Sequence, residues 1–403
     1  MSRSRILLAA SAPAGGLAEH SFYQARALAR LGVEVEVLTC PAFLTGRPLP
    51  FACQRELPDP PPAEGSRVTR RLRRFWQLLR LRWAIFWQVL RRKPDLVLWD
   101  SYAEYLAPLW VWPHLFAARV LGVTYAANLH DPVRNYHVGP AWWHRLSVRL
   151  AYLPFKFVLV HQKLADPGVV PRGVGVFEVP VGVYDLPETG LSRAEMRATW
   201  DVKEAQRVFL AFGYLRDGKN LDLAIRALKS APGAVLVIAG AVPSAKDKPF
   251  SFYRDLAAQE GVADRVIFHE GFASDEALAG YFAGTDFVLL TYSSSFHSQS
   301  GVLNLAAKAR KPVLASAAPS PLLDSVERFQ LGVVVPPDAV DAIASGMREL
   351  LKSPPAPRWD DYEAVASWEA NAAGILRAAE LFPDAQAGPA AATAGQRRLS
   401  STP

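Results

Sequence analysis

Residues 285–316, TDFVLLTYSSSFHSQSGVLNLAAKARKPVLAS, leave the chain few architectures. Phe287-Val288-Leu289-Leu290 and Pro312-Val313-Leu314-Ala315 are apolar runs of strand length, the kind covered on both faces. Between them lie a hydroxyl and amide loop, 293–300, with Phe296 and His297 in its middle, and a helical stretch opened by Gly301. Strand, loop, helix, strand is a βαβ unit, and burial on both faces requires a parallel sheet between two helix layers. The loop has a chemistry of its own. Backbone N–H groups at a helix start have no partner within the helix, and the dipole adds about half a positive charge there. Ser298 or Ser300 is therefore expected to cap the helix or to hydrogen-bond a phosphate.

The same texture recurs along 403 residues, too many for one ordinary core, so two domains are expected. Residues 5–10 read as a first buried strand rather than the apolar stretch of a signal peptide. Pro13-Ala14-Gly15-Gly16 is a tight turn, 18–31 a helix and 33–39 a second strand. Glycines in that turn let a ligand approach the backbone. The G-x-G-x-x-G spacing is absent, so no dinucleotide cofactor is expected. Residues 41–66 are proline-rich and read as a loop. Strands follow at 94–99 and 123–129, the latter running into His130-Asp131-Pro132, where α/β proteins place ligand sites. After Gly182 a second strand series begins at 208–212, 235–240, 266–269 and 287–290. Its loops at 213–219 and 293–301 should converge on one crevice, to which Lys219 brings a positive charge. Domain boundaries are expected at 1–182 and 183–362, with a closing helix at 363–382 and a disordered tail at 383–403.

The net charge of +7 is local: residues 67–93 hold ten Lys/Arg and no acid, so the rest, 7 minus 10, stands at −3. A nucleic-acid partner is therefore not expected. On a helical wheel Leu72, Trp76, Leu79, Trp83, Phe86, Trp87 and Leu90 form one stripe, expected to pack on the sheet. Leu78, Leu81, Ile85 and Val89 form a second, with Arg71, Arg74 and Arg82 among or beside it. That second face is expected to meet an anionic membrane surface. Two cysteines, Cys40 and Cys53, make no disulfide framework and suit a reducing cytoplasm. The expected location is cytoplasmic, peripheral on the inner face of the cell membrane.

Taken together, these motifs resemble the GT-B glycosyltransferases, two Rossmann-like domains facing a central cleft, and in detail retaining family 4 (group 1). Gly15-Gly16 followed by His20 resembles the family's glycine loop and first helix, and His130-Asp131 its site-histidine region. Val179-Pro180-Val181-Gly182-Val183 resembles the interdomain I-P-x-G-x motif, and Gly213-Tyr214-Leu215 through Lys219-Asn220 the G-R-L…K-G phosphate loop. Residues 276–290 resemble the e-e-l…l-y…a-D segment, and Ser367-Trp368-Glu369 the s-W-e before the closing helix. The resemblance covers about residues 5 to 382. It implies sugar transfer from a nucleotide-diphospho-sugar to a glycan or lipid-linked acceptor. It implies His130 and Asp131 as catalytic residues. Donor contacts would come from Gly15, Gly16, Gly213, Arg216, Lys219, His297, Ser298, Gln299, Ser300, Gly301 and Asn304. No metal is implied, since no acidic D-x-D pair lies in a plausible donor loop. Two departures stand out. The family's two glutamates, eight positions apart, fall on His297 and Leu305, and its phosphate-loop arginine falls on Tyr214. The alternative is a degenerate GT-B scaffold that binds without catalysis.

Overall fold

The computed structural model describes residues 4–61, 66–100, 104–130, 139–161, 170–187, 190–244 and 246–381. Asp131 and the tail from 383 lie outside the described residues. Contacts divide the chain into two compact units. One holds Met1–Leu159, Asp166–Phe177 and Ala372–Pro403, the other Val160–Ala165 and Glu178–Asn371.

In the first half, strands alternate with helices: β1 (Arg5–Ala10), α1 (Gly16–Arg30), β2 (Glu34–Thr39), β3 (Ala52–Gln54), α2 (Arg67–Arg92) and β4 (Leu96–Trp99). There follow α3 (Ala107–Arg119), β5 (Thr124–Leu129), α4 (Ala141–Ala151), β6 (Phe155–Val160) and β7 (Gly175–Glu178). They form one seven-stranded sheet in the order β3-β2-β1-β4-β5-β6-β7. β1 pairs in parallel with both β2 and β4, so the direction of winding reverses there. Strand β3 is three residues inside the proline-rich segment expected to be loop, paired with β2. Three residues are too short to announce themselves by pattern.

Helix α2 corrects an expectation. Its buried apolar residues are Ile85, Val89 and Phe86, while Leu72, Trp76, Trp83 and Trp87 are exposed. Apart from buried Phe86 and half-buried Leu79 and Leu90, the stripe expected to meet the sheet therefore faces outward. Arg82, expected at a membrane, is buried with its guanidinium 4.0 Å from the Trp99 ring centroid and 4.8 Å from that of Trp110. The physical reason is fit: β-branched Ile85 and Val89 let the backbone approach the sheet, and indole rings do not.

The second unit continues with α5 (Arg193–Thr199), β8 (Arg207–Phe212), α6 (Leu221–Ala227), β9 (Ala234–Gly240), α7 (Phe250–Gln259), β10 (Val266–Glu270) and α8 (Asp275–Gly284). It then runs through β11 (Phe287–Thr291), α9 (Gly301–Lys308), β12 (Val313–Ser316), α10 (Pro321–Arg328), β13 (Gly332–Val334), α11 (Val340–Lys352) and α12 (Trp359–Val365). Helix α13 (Trp368–Ala379) follows. The six strands lie in the order β10-β9-β8-β11-β12-β13. Alternate strand residues enter two cores. Leu236, Ile238 and Leu289 pack with α6, α7 and α11 on one face. Val237, Val288 and Leu290 pack with Phe282 of α8, Leu303 of α9 and Tyr362 of α12 on the other. This two-sided burial is what an all-apolar strand implies. Among the described residues, no helix is long and apolar enough to cross a membrane.

Candidate functional site

In the second sheet the winding reverses between β8 and β11, and ligands of open α/β sheets bind beyond the carboxyl ends of the strands at such a point. Those two ends carry the loops 213–219 and 292–300. The structure fastens them to each other. The Ser293 amide donates to the Gly218 carbonyl at 2.9 Å, and the Thr291 hydroxyl to the Lys219 carbonyl at 3.1 Å. Asp338 ties both from the side, accepting from the Asn220 side-chain amide and the Ser294 backbone amide, each at 2.9 Å. Those hydrogen bonds hold its carboxyl below the usual carboxylate range.

Lys219 occupies the junction. Its ammonium donates to the Phe212 carbonyl at the end of β8. A Cβ built on Gly213 would lie 3.6 Å from that ammonium and 3.9 Å from Val302 in the first turn of α9. Gly213, with φ 93°, thus stands between the lysine and the helix start. Burial, and after it the Arg216 guanidinium, lowers the Lys219 ammonium from 10.5 to about 8. A cation so depressed gains from an arriving anion. Gly240 packs underneath: a Cβ there would fall 1.9 Å from the Gly213 carbonyl oxygen.

Helix α9 opens without a side-chain cap and without an acid in its first turn. Its N-cap residue Ser300 is buried, and its hydroxyl is 2.9 Å from the Tyr292 hydroxyl rather than on the helix N–H groups. The Tyr292 ring in turn stacks on Phe296, centroids 4.0 Å apart. Ser300 therefore positions the loop; the Leu303 amide donates to the Ser300 carbonyl at 3.0 Å, which leaves the Gly301 and Val302 amides at the helix start to a ligand. Ser298 is half-buried and His297 is exposed. The Gln299 side-chain oxygen is buried without a hydrogen-bond partner, as a group awaiting a ligand would be. Asn304 departs from expectation. It is buried, donates to the Gly182 carbonyl at 3.2 Å and accepts from the Tyr362 hydroxyl at 2.7 Å. Its amide is committed to packing, so Asn304 is withdrawn from the donor contacts. Leu305 packs against the core.

The first unit carries its own constellation. Gly15, with φ 80°, precedes the first residue of α1, Gly16, and a Cβ on either would meet nothing within 4 Å. His130 follows β5, and its Nε2 is 2.8 Å from the Asp100 carbonyl oxygen. Its ring meets that of buried His20 edge-on, centroids 4.6 Å apart. His20 had no place among the expected site residues. Its position four residues into the helix after Gly16 was the available signal. Tyr292 and Asp338 were also missed, because a stacking tyrosine and a distant carboxylate carry no local pattern.

Residues 192–372 match the family model described as glycosyl transferases group 1. The second unit is a group 1 glycosyltransferase domain. Over 161 residues the chain is 31% identical to the D-inositol 3-phosphate glycosyltransferase of Mycobacteroides abscessus. That match spans 40% of this chain and 35% of that protein, about a third of its length. Among solved structures, the sucrose-phosphate synthase of Thermosynechococcus elongatus is 19% identical with a TM-score of 0.63, covering 93% of this chain and 98% of that one. Anabaena HepE, in complex with UDP and glucose, is 17% identical with a TM-score of 0.66, covering 93% and 98%. These likenesses place the fold as GT-B, two Rossmann-like α/β domains. Within the group 1 domain, the aspartate of the 276–290 segment has a structural explanation. Asp286 accepts from Arg197 at 2.9 Å and from the Val208 amide at 2.8 Å, fixing the amino end of β11.

Proposed function

We propose that this chain moves a sugar from a nucleotide-diphospho-sugar to a glycan or lipid-linked acceptor at a membrane surface, with retention and as a family 4 enzyme. The observation that carries the reading is the meeting of Lys219, Gly213 and the uncapped start of α9 at the reversal point of the second sheet. As the glycosidic bond breaks, negative charge gathers on the leaving diphosphate. Donors already fixed in place stabilise that charge without reorganising. Lys219 supplies a full charge, Arg216 a second exposed beside it, and the α9 N–H groups a dipole. Gln299 offers its unpartnered oxygen to a donor hydroxyl. The one acid of the two loops, Asp217, accepts from the Lys248 amide at 2.9 Å, so they hold no acidic pair for a metal.

In this reading the second unit binds the donor and the first unit the acceptor, with His130 and Asp131 at the sugar and Gly15 and Gly16 leaving room for it. The complex of HepE with UDP and glucose supports the ligand class. A second reading, a scaffold that binds without turnover, is favoured by exposed His297 and core-packed Leu305 where the family carries glutamates.

A thermal-shift panel of UDP-, GDP- and TDP-sugars tests the donor, followed by release of sugar from any nucleotide that protects. A ligand at one hundred times its dissociation constant stabilises by about 2.7 kcal/mol, ample to detect. Protection with sugar release supports the enzyme. Protection without transfer or hydrolysis selects the scaffold, and no protection by any of them overturns the donor site.

A further inference from the structure

We propose that an anionic lipid bilayer docks on the outer face of the α2-α3-α4 layer, with its tryptophans set among the lipid headgroups. The proposal rests on the membrane-acceptor reading above and names its surface. Helix α1 connects β1 to β2 in one direction along the sheet. Helices α2, α3 and α4 connect β3 to β4, β4 to β5 and β5 to β6 in the other. Right-handed crossovers then place α1 on one face and the other three together on the opposite face. Helix α2 packs on α3, and α3 on α4, as one layer.

That layer turns aromatic rings outward. On α2, Trp76 is 60% exposed and Trp87 56%; on α3, Trp112 is 54%; on α4, Trp142 is 60%. A single exposed tryptophan needs no explanation, but exposed tryptophans on each of three helices packed as one layer do. Basic residues frame it. Arg73, Arg80 and Arg91, spaced by seven and eleven, run along one flank of the tryptophan stripe, all exposed. Arg119, Arg145 and Arg149 are exposed on α3 and α4, and no helix of the three carries an acid.

The choice of occupant follows from the charge. A second copy would bring arginines against arginines across a two-fold axis. The middle of a protein–protein interface is depleted of charge, whereas here guanidinium and indole interleave. An anionic bilayer meets both demands at one depth: headgroup phosphates pair with arginine, and the boundary below them is where tryptophan partitions. From 68 to 80 no described residue of α2 is buried, so this half-helix can lie on a surface along its length.

The full chain is mixed with phosphatidylcholine vesicles, with or without phosphatidylglycerol, whose acyl chains carry bromine. We expect cosedimentation with the anionic vesicles only, together with quenching of tryptophan emission. The double substitution Trp112→Ser with Phe116→Ser removes apolar contact and no charge. It should lower partitioning roughly tenfold or more at high salt, where charge is screened, with an unchanged unfolding midpoint. If it misfolds, Trp83→Ser on α2 replaces it under the same criterion. Equal partitioning of parent and variant, or binding without quenching, overturns the insertion. Concentration-dependent dimers lost in the variant, seen by sedimentation velocity without vesicles, would assign the face to a second copy. No nucleotide enters this assay, so its failure leaves the donor site standing, and failure of the donor panel leaves the docking face standing.

Discussion

Replacing Lys219 by methionine should make the unliganded protein more stable and the liganded one weaker. The native ammonium is held near 8 instead of 10.5, mainly by burial. That displacement, 2.5 pKa units at about 1.36 kcal/mol each, corresponds to about 3 kcal/mol against folding at pH 7. Methionine keeps the length and removes the charge. It also leaves the Phe212 carbonyl without its donor, which costs about 1 kcal/mol. The net gain at pH 7 is about 2 kcal/mol, a rise of several degrees in the midpoint of the second unit. The sign reverses with pH. Below about 8 the folded lysine is charged at full cost; between 8 and 10.5 the unfolded chain holds more protons than the native one. Stability of the parent therefore climbs through that window, and the variant's advantage is gone above it. Donor binding should fall by the loss of a charged hydrogen bond, about 1.5–3 kcal/mol. Scanning fluorimetry at pH 7 and pH 10.5, with and without the protecting nucleotide, reads all three effects. A variant that is less stable at pH 7 and binds donor as the parent does would make Lys219 a strut for the end of β8, and the diphosphate site would be lost.

His130→Ala should keep the fold and donor protection while abolishing transfer, measured as labelled sugar moved to acceptor; transfer at the parental rate would leave His130 a structural residue, held by the Asp100 carbonyl and the His20 ring. Gly240→Ala should destabilise by about 3 kcal/mol or more in urea unfolding and lose donor binding, because the new methyl must push the Gly213 carbonyl out of place. A mild effect there would mean that the Gly213 loop yields without consequence.

The strands that build the second site were legible because each is apolar along all but one terminal residue. Residues 208–212 and 287–290 fall inside β8 and β11. Gly213 is legible as a site residue from its motif alone; the structure shows that it and Gly240, which follow or end β8 and β9, take conformations closed to other residues. What stayed hidden depends on partners far along the chain. Asn304 reads as a polar residue one turn into a ligand helix, and only Gly182 and Tyr362, 122 and 58 residues away, turn it into packing. Ser300 reads as a cap, and Tyr292 takes its hydroxyl. In α2 the wheel shows two apolar stripes of similar width. Their order is decided by which shapes fit the sheet, a property that periodicity does not contain.

The half of α2 between residues 68 and 80 also has a consequence in time. With no described residue buried, this segment draws on no core for its stability. An isolated helix of about this length is marginal in water, and arginines three and four apart, Arg70 with Arg73 and Arg74, repel along it. Its turns therefore open far more often than the sheet behind them. In dilute buffer its amides should exchange first in the unit, and trypsin should cut there while β1 and β4 remain intact. Anything that neutralises those arginines slows both processes. The digestion rate of this one segment then serves as a clock for how long the protein stays where it has landed.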